Sequence, residues 1–141
     1  MATINCDMGE AFGIYSFGDD VACMRYVTHA NIACGFHASD PMVMRRTVRA
    51  AAEAGIHVGS HPGLPDREGF GRRRMAMTRD EVSALVIYQT GALAAFAAAE
   101  GVALSHIKAH GALFGMAQND SDIAEGLADA AEHFSLPMIA F

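Results

Sequence analysis

The 141-residue chain has no tryptophan, three cysteines and a single lysine, Lys108. The cysteines are Cys6, Cys23 and Cys34, odd in number and without a Cys-x-x-Cys pair. That argues against a disulfide framework or a zinc knuckle and suits a reducing, cytoplasmic setting. Free cysteine near a strand end usually packs as a small apolar residue, which is the reading for Cys6 and Cys34. Charged residues make up only 18% and the net charge is -6, which disfavours nucleic-acid and anionic-membrane partners. No apolar run approaches the roughly 18 residues of a membrane span; residues 92–99 are apolar but bounded by Glu100 and Gly101. No signal peptide is expected, because Met1-Ala2-Thr3 leads straight into a strand that ends in a carboxylate. Gly-x-x-x-x-Gly-Lys-Ser/Thr is missing, so the chain has no P-loop. Gly-x-Ser-x-Gly is missing too, which removes the hydrolase nucleophile elbow.

What remains is 52% hydrophobic and rich in alanine and glycine, enough for one packed domain over residues 1–141. Its organisation centres on Ala30-Asn-Ile-Ala-Cys-Gly-Phe-His-Ala-Ser-Asp-Pro41. An apolar run ends at a glycine and a histidine, and a helix start follows. The pattern recurs in Asn5-Cys-Asp-Met-Gly-Glu10, Val58-Gly-Ser-His-Pro-Gly63 and Ile107-Lys-Ala-His-Gly111. If these runs are neighbouring parallel strands, their polar ends meet at one end of the sheet, where α/β folds place their chemistry.

The pattern predicts strands over residues 3–6, 31–34, 56–60 and 102–109, and a fifth beginning at 137–141. Asp19 and Asp20 cap a short helix that reaches about residue 26. Asp40 as N-cap and Pro41 as first helical residue open a helix that runs to residue 54, where Gly55 stops it. Thr78-Arg-Asp-Glu81 has the form of a capping box and starts the longest helix, whose apolar stripe is broken only by Gln89. Residues 110–118 read as a loop or short turn, and Ser121 or Asp120 caps the last helix. Residues 61–77 form a long loop of the kind that more often carries function. The fold class is therefore α/β with parallel strands. It is either the first five or so β/α units of a barrel or a complete five-stranded open sheet.

Candidate chemistry follows from the strand ends. Asp7 and Glu10 could share a proton, hold a metal, or act as base and acid. His37, His61 and His110 each end a different strand, and with Asp7 they are the raw material of a divalent-metal site or of acid–base catalysis. His57 and His106 lie four residues before His61 and His110. On a strand that is about 13 Å away, too far to share a metal, so a structural role is expected for both. Lys108 shares parity with His106 and His110. It is read as a carboxylate-binding group, a base, or an ion-pair partner of Asp7 or Glu10. Arg72, Arg73 and Arg74 follow two glycines and suit binding of carboxylate or phosphate.

These motifs, with Gly59-Ser-His-Pro-Gly63, Gly69-Phe-Gly-Arg-Arg73, Tyr88-Gln-x-Gly-Ala-Leu93 and Lys108-x-His-Gly-Ala-Leu113, resemble the LamB/YcsF family, the A component of bacterial 5-oxoprolinase, in order over nearly the whole chain. The resemblance implies an irregular TIM-type β/α barrel, similar to the glycoside hydrolase and polysaccharide deacetylase barrels, of which this chain covers the first part. It implies ATP-dependent opening of 5-oxoproline to glutamate together with B and C subunits, which could be the ones that bind ATP. Asp7, Glu10, His37, His61, Lys108 and His110 fall on the family's motif positions as candidate catalytic residues, and Asn31, Arg72 and Arg73 are placed with them as substrate contacts. The family usually has proline at position 109, tyrosine at 114, asparagine at 115 and serine at 11, where this chain has Ala109, Phe114, Gly115 and Ala11. Two alternative readings are a metal-dependent, deacetylase-like hydrolase and an inactive, truncated binding subunit.

Overall fold

The computed structural model describes residues 3–140. Four strands, β1 (Asn5–Met8), β2 (His29–Ala33), β3 (His57–His61) and β4 (Leu104–Ile107), form one parallel sheet in sequential order. Sequential order is the winding of a barrel segment; a doubly wound open sheet reverses direction part-way. The expected fifth strand appears as a single parallel bridge from Met138 to Ile107 on the far side of β4. Two hydrogen bonds hold it, Ile107 N–H to the Pro137 carbonyl and Ile139 N–H to the Ile107 carbonyl, both 2.9 Å. Phe141 lies outside the described residues.

The strands begin one to two residues later than expected at β1 and β3, and two residues earlier at β2. Asp7 and His61 thus lie within the ladder, opposite Asn31 and Ala33. Strand geometry explains this: polar side chains are tolerated inside a strand when they alternate toward the barrel interior. Ala30, Ile32 and Val58 point outward into the core, while Asp7, Asn31, Gly59 and His61 point inward. A bulge in β4 sets the three-residue step from Leu104 to Ile107 against the two-residue step from Val58 to Ser60, and aims His106 inward.

The helices cover the outer face. α1 (Asp20–Met24) is capped by Asp19. α2 (Pro41–Glu53) starts as predicted, with the Asp40 carboxylate accepting from Met42 N and Val43 N at 2.8 and 2.9 Å. The same carboxylate accepts from Gly13 N at 2.8 Å and so ties down the loop after β1. α3 (Arg79–Ala99) opens with the full Thr78–Glu81 capping box. Residues 111–117 form a true helix, α4 (Gly111–Ala117), and α5 (Ser121–Phe134) takes Asp120 as its cap.

Two apolar clusters carry the stability. One joins β2 and β3 to α2 and α3 through Ile32, Val48, Val58 and Leu93; the other joins β4, α3, α4 and α5 through Val82, Val86, Ile107, Leu113, Ile123 and Leu127. Each of these side chains is 3% exposed or less, so each contributes about 1.5–3 kcal/mol of burial. α3 belongs to both clusters. It is the one helix among the described residues with the length and hydropathy of a membrane span, yet Val82, Leu85, Val86, Leu93 and Ala97 face the core. It reads as a core helix.

Candidate active site at the strand ends

Glu10, His37, His61 and His110 converge at the C-terminal end of the sheet, and one donor atom from each lies within 4.8 Å of the others. Each arrives from a different segment. Gly9, at φ 70°, turns the chain after β1 so that Glu10 faces inward, and a side chain at Gly9 would crowd Thr47 and Ile32. His37 sits in the tight turn after β2, His61 ends β3, and His110 precedes α4.

The hydrogen bonds fix the tautomers of two rings. The His61 Nδ1–H donates to the Lys108 carbonyl at 2.7 Å, and the His110 Nε2–H donates to the Phe70 carbonyl at 2.7 Å. In neutral rings this leaves lone pairs on His61 Nε2 and His110 Nδ1, and these two atoms are 3.0 Å apart. Glu10 Oε1 adds negative charge beside them, 3.9 Å from the first, 3.5 Å from the second and 3.1 Å from His37 Nε2. Two facing lone pairs and a carboxylate repel unless a proton or a metal ion lies between them.

Burial drives the charge states. It pushes the Glu10 carboxyl up, against the pull of the imidazoles around it. Burial, with His61 close by, pulls His37 down to about 3; burial, with His37 and His61 close by, pulls His110 down to about 4. Both rings are therefore neutral at pH 7. They stack face to face with centroids 3.7 Å apart and planes 3° from parallel. His37 Nδ1 is buried against Gly63 and is without a hydrogen-bond partner among the described residues.

Asp7 stands beside this cluster. Its Oδ1 accepts from Asn31 Nδ2 and Lys108 Nζ, each at 2.7 Å, and its Oδ2 is 3.4 Å from His61 Nε2. Burial would raise its carboxyl, but the His61 ring beside it and the hydrogen bonds from Lys108 and Asn31 outweigh it and hold the group well below the usual carboxylate range. The four-donor set therefore contains Glu10 in the place where the sequence pattern suggested Asp7. Lys108 is the ion-pair partner of Asp7, one of the alternatives expected for it.

The residues read as substrate contacts separate. Arg73 is engaged by Asp66, whose carboxylate takes Arg73 Nε at 2.9 and 3.0 Å together with the Gly69 and Arg73 backbone N–H groups. Arg72 is exposed, sits over the Phe70 ring at 5.6 Å and has no ion-pair partner among the described residues. Asn31 is fully buried, with its amide engaged by Asn5, Asp7 and His106. Cys34 is buried and its thiol is pushed up to about 11; burial also raises Cys6, so neither is an activated nucleophile.

One supporting residue is not evident from sequence. Gln89 accepts from Gly63 N at 3.0 Å and donates to the Gly63 carbonyl at 2.9 Å, clamping the backbone just after His61 and against the His37 ring. Its signal is visible as the one polar residue in an apolar helical stripe, but its partner is not. Beside Glu10 and His37 opens a cavity of about 530 Å³, walled by Phe12, Tyr15, Phe17 and Phe70.

Known proteins resemble the chain over nearly its whole length. The chain is 52% identical over 138 residues to the A component of 5-oxoprolinase from Bacillus licheniformis, covering 98% of this chain and 54% of that protein. It is 54% identical over 136 residues to the A component of 5-oxoprolinase from Geobacillus kaustophilus, covering 96% and 52%. The crystal structure of a lactam utilization protein from Thermus thermophilus superposes with a TM-score of 0.96 at 45% identity, covering 99% of this chain and 57% of that one. The chain thus spans about half the length of the curated relatives it matches. The model of the LamB/YcsF family matches residues 2–141, and the chain belongs to that family.

Proposed function

We propose that this chain acts in the ATP-dependent opening of 5-oxoproline to L-glutamate, as the A component beside B and C subunits. The observation that carries this reading is the convergence of Glu10, His37, His61 and His110, flanked by the Asp7–Lys108 pair, at the mouth of an aromatic cavity. The 5-oxoprolinase relatives and the lactam utilization protein supply the substrate class.

A five-membered lactam is held closed by amide resonance, so its carbonyl must be activated before water adds. Phosphorylation of the carbonyl oxygen by ATP, with ADP leaving, supplies that activation; the phosphate departs as inorganic phosphate after water has added and the C–N bond has broken, and nucleotide binding falls to the partner subunits, in keeping with the missing P-loop. Glu10, with its raised carboxyl and its contact to His37, suits the base that takes the proton from water. The His61–His110 pair can hold a proton between its two ring nitrogens and pass it to the ring nitrogen as the amide bond breaks. Arg72 at the rim suits the substrate carboxylate. The test is glutamate release from 5-oxoproline and ATP by this chain mixed with B and C subunits. Glutamate above the B-plus-C background supports the reading; background alone, with a folded chain, overturns it for the chain by itself.

A second reading rests on the two facing lone pairs. Three imidazoles and a carboxylate are a donor set suited to a divalent transition metal, and such a metal would polarise the lactam carbonyl and acidify bound water. Stoichiometric metal after purification, lost in a His61→Ala variant, supports it. A metal-free protein that keeps full activity in chelator overturns it.

A further inference from the structure

Beneath the strand-end cluster lies a second polar layer that the proposed reaction leaves unused. In the sheet register, Asp7 of β1 pairs with Asn31 of β2, and Asn31 pairs with Gly59 of β3. The three residues form one row across the barrel interior. The position above Gly59 is filled from β4: a Cβ at Gly59 would fall inside the His106 imidazole. His106 therefore crosses over β3, through the gap that only glycine leaves, and reaches Asn31 two strands away.

The contacts read in one direction. His106 Nε2 is 2.7 Å from Asn31 Oδ1. The Asn31 amide nitrogen donates to Asn5 Oδ1 and to Asp7 Oδ1, both at 2.7 Å, so both its hydrogens are used. With the amide in that orientation Oδ1 is an acceptor, and the hydrogen of His106 must sit on Nε2. The ring's other nitrogen, Nδ1, lies 2.8 Å from Ser105 Oγ. A flipped Asn31 would turn its carbonyl oxygen toward the Asp7 carboxylate, an acceptor facing an acceptor whichever tautomer His106 takes. Asn31 is completely buried and His106 is 3% exposed, so water cannot compensate.

We infer that His106 is a positioning residue for Asp7. Through Asn31 it fixes the carboxylate so that Oδ1 is occupied by Asn31 and Lys108 while Oδ2 faces His61. Gly59 is part of the same device, as the position that lets the ring through. This deepens the proposed function, because it rests on Asp7 belonging to the active site. It gives Asn31 a supporting place rather than a substrate contact, and His106 a task beyond filling space.

The test uses the ¹⁵N-labelled 141-residue chain. The Asn31 carboxamide protons and the ammonium signal of Lys108, the sole lysine, report on the two groups that share Asp7 Oδ1. In folded His106→Leu, Asn31 carboxamide exchange should accelerate at least about tenfold and the Lys108 signal should move. In His106→Gln, whose amide can replace the Nε2–H, both should return to within about threefold of the wild-type behaviour. If His106→Leu does not fold, His106→Asn, polar but too short to reach Asn31, takes its place. Unchanged Asn31 protection in a folded His106→Leu or His106→Asn chain overturns the inference, as does a folded His106→Gln chain that restores neither signal. In an assembly that releases glutamate, kcat should also fall about tenfold in His106→Leu at unchanged KM and recover in His106→Gln. Absence of glutamate with the wild-type chain would count against the proposed function, while the exchange measurement would still decide the role of His106.

Discussion

The two polar layers inside this half-barrel differ in how fully their groups are paired. In the lower layer, Asn5, Asn31 and His106 meet one another with matched donors and acceptors, and the Asn31 amide uses both hydrogens and its oxygen. In the upper layer, His61 and His110 point lone pairs at each other, Glu10 is pushed toward protonation, and His37 Nδ1 has no hydrogen-bond partner among the described residues. A fully paired buried network is rigid, whereas an under-paired one stores demand for a proton, a metal or a substrate atom. The contrast marks the upper layer as the candidate site more sharply than residue type does, since both layers contain histidine.

The comparison breaks most visibly in the upper layer. His61→Ala should lower glutamate release in an active assembly by about a thousandfold while the chain keeps its far-UV circular dichroism. Retained turnover would move the chemistry away from this histidine. In the lower layer the expected effect falls on stability. Gly59→Ala should cost about 3 kcal/mol in urea unfolding, because its methyl group meets the His106 ring. Adding His106→Ala should recover part of that cost, giving a coupling energy of about 1 kcal/mol or more in the double-mutant cycle. Additive costs would show that ring and glycine do not meet.

Behind His37, Gln89→Leu should cost about 2 kcal/mol, since it strips the buried Gly63 N–H and carbonyl of their partners. It should also reduce turnover, by loosening the wall behind His37. The smallest effect concerns the loop that carries the arginines. Asp66 is held down to about 2, first by Arg73 and then by the Gly69 N–H. Its folded value lies below the unfolded one of about 3.9, so its contribution is complete above about pH 5 and fades as the pH falls toward 2. The stability difference between wild type and Asp66→Asn should therefore be constant from pH 5 to 7 and shrink in acid. A difference that grows in acid would reverse the assignment.

Much of this architecture is legible in the residues alone. The apolar runs ending in Asp, Glu, His or Lys beside glycine mark parallel strands whose ends converge. Asp40-Pro41 and Thr78–Glu81 mark helix starts that the structure reproduces, because caps are local and depend on a few neighbouring backbone N–H groups. Strand limits slip by one or two residues, since ladder pairing with a neighbour, not local propensity, decides where a strand begins. Residues 111–117 become a helix once their apolar face finds α5.

The residue types, their strand-end placement, the missing P-loop and the family motifs are properties of the sequence itself. They determine a parallel α/β chain that carries carboxylates and histidines at one end of its sheet. Only the tertiary structure decides that Glu10 rather than Asp7 completes the four-donor cluster, that Asp66 engages Arg73 while Arg72 stays exposed, and that His106 reaches Asn31 across Gly59. The physical reason is the same in each case. Which donor meets which acceptor depends on register, bulges and turn angles between segments up to 101 positions apart, and no local pattern records those distances.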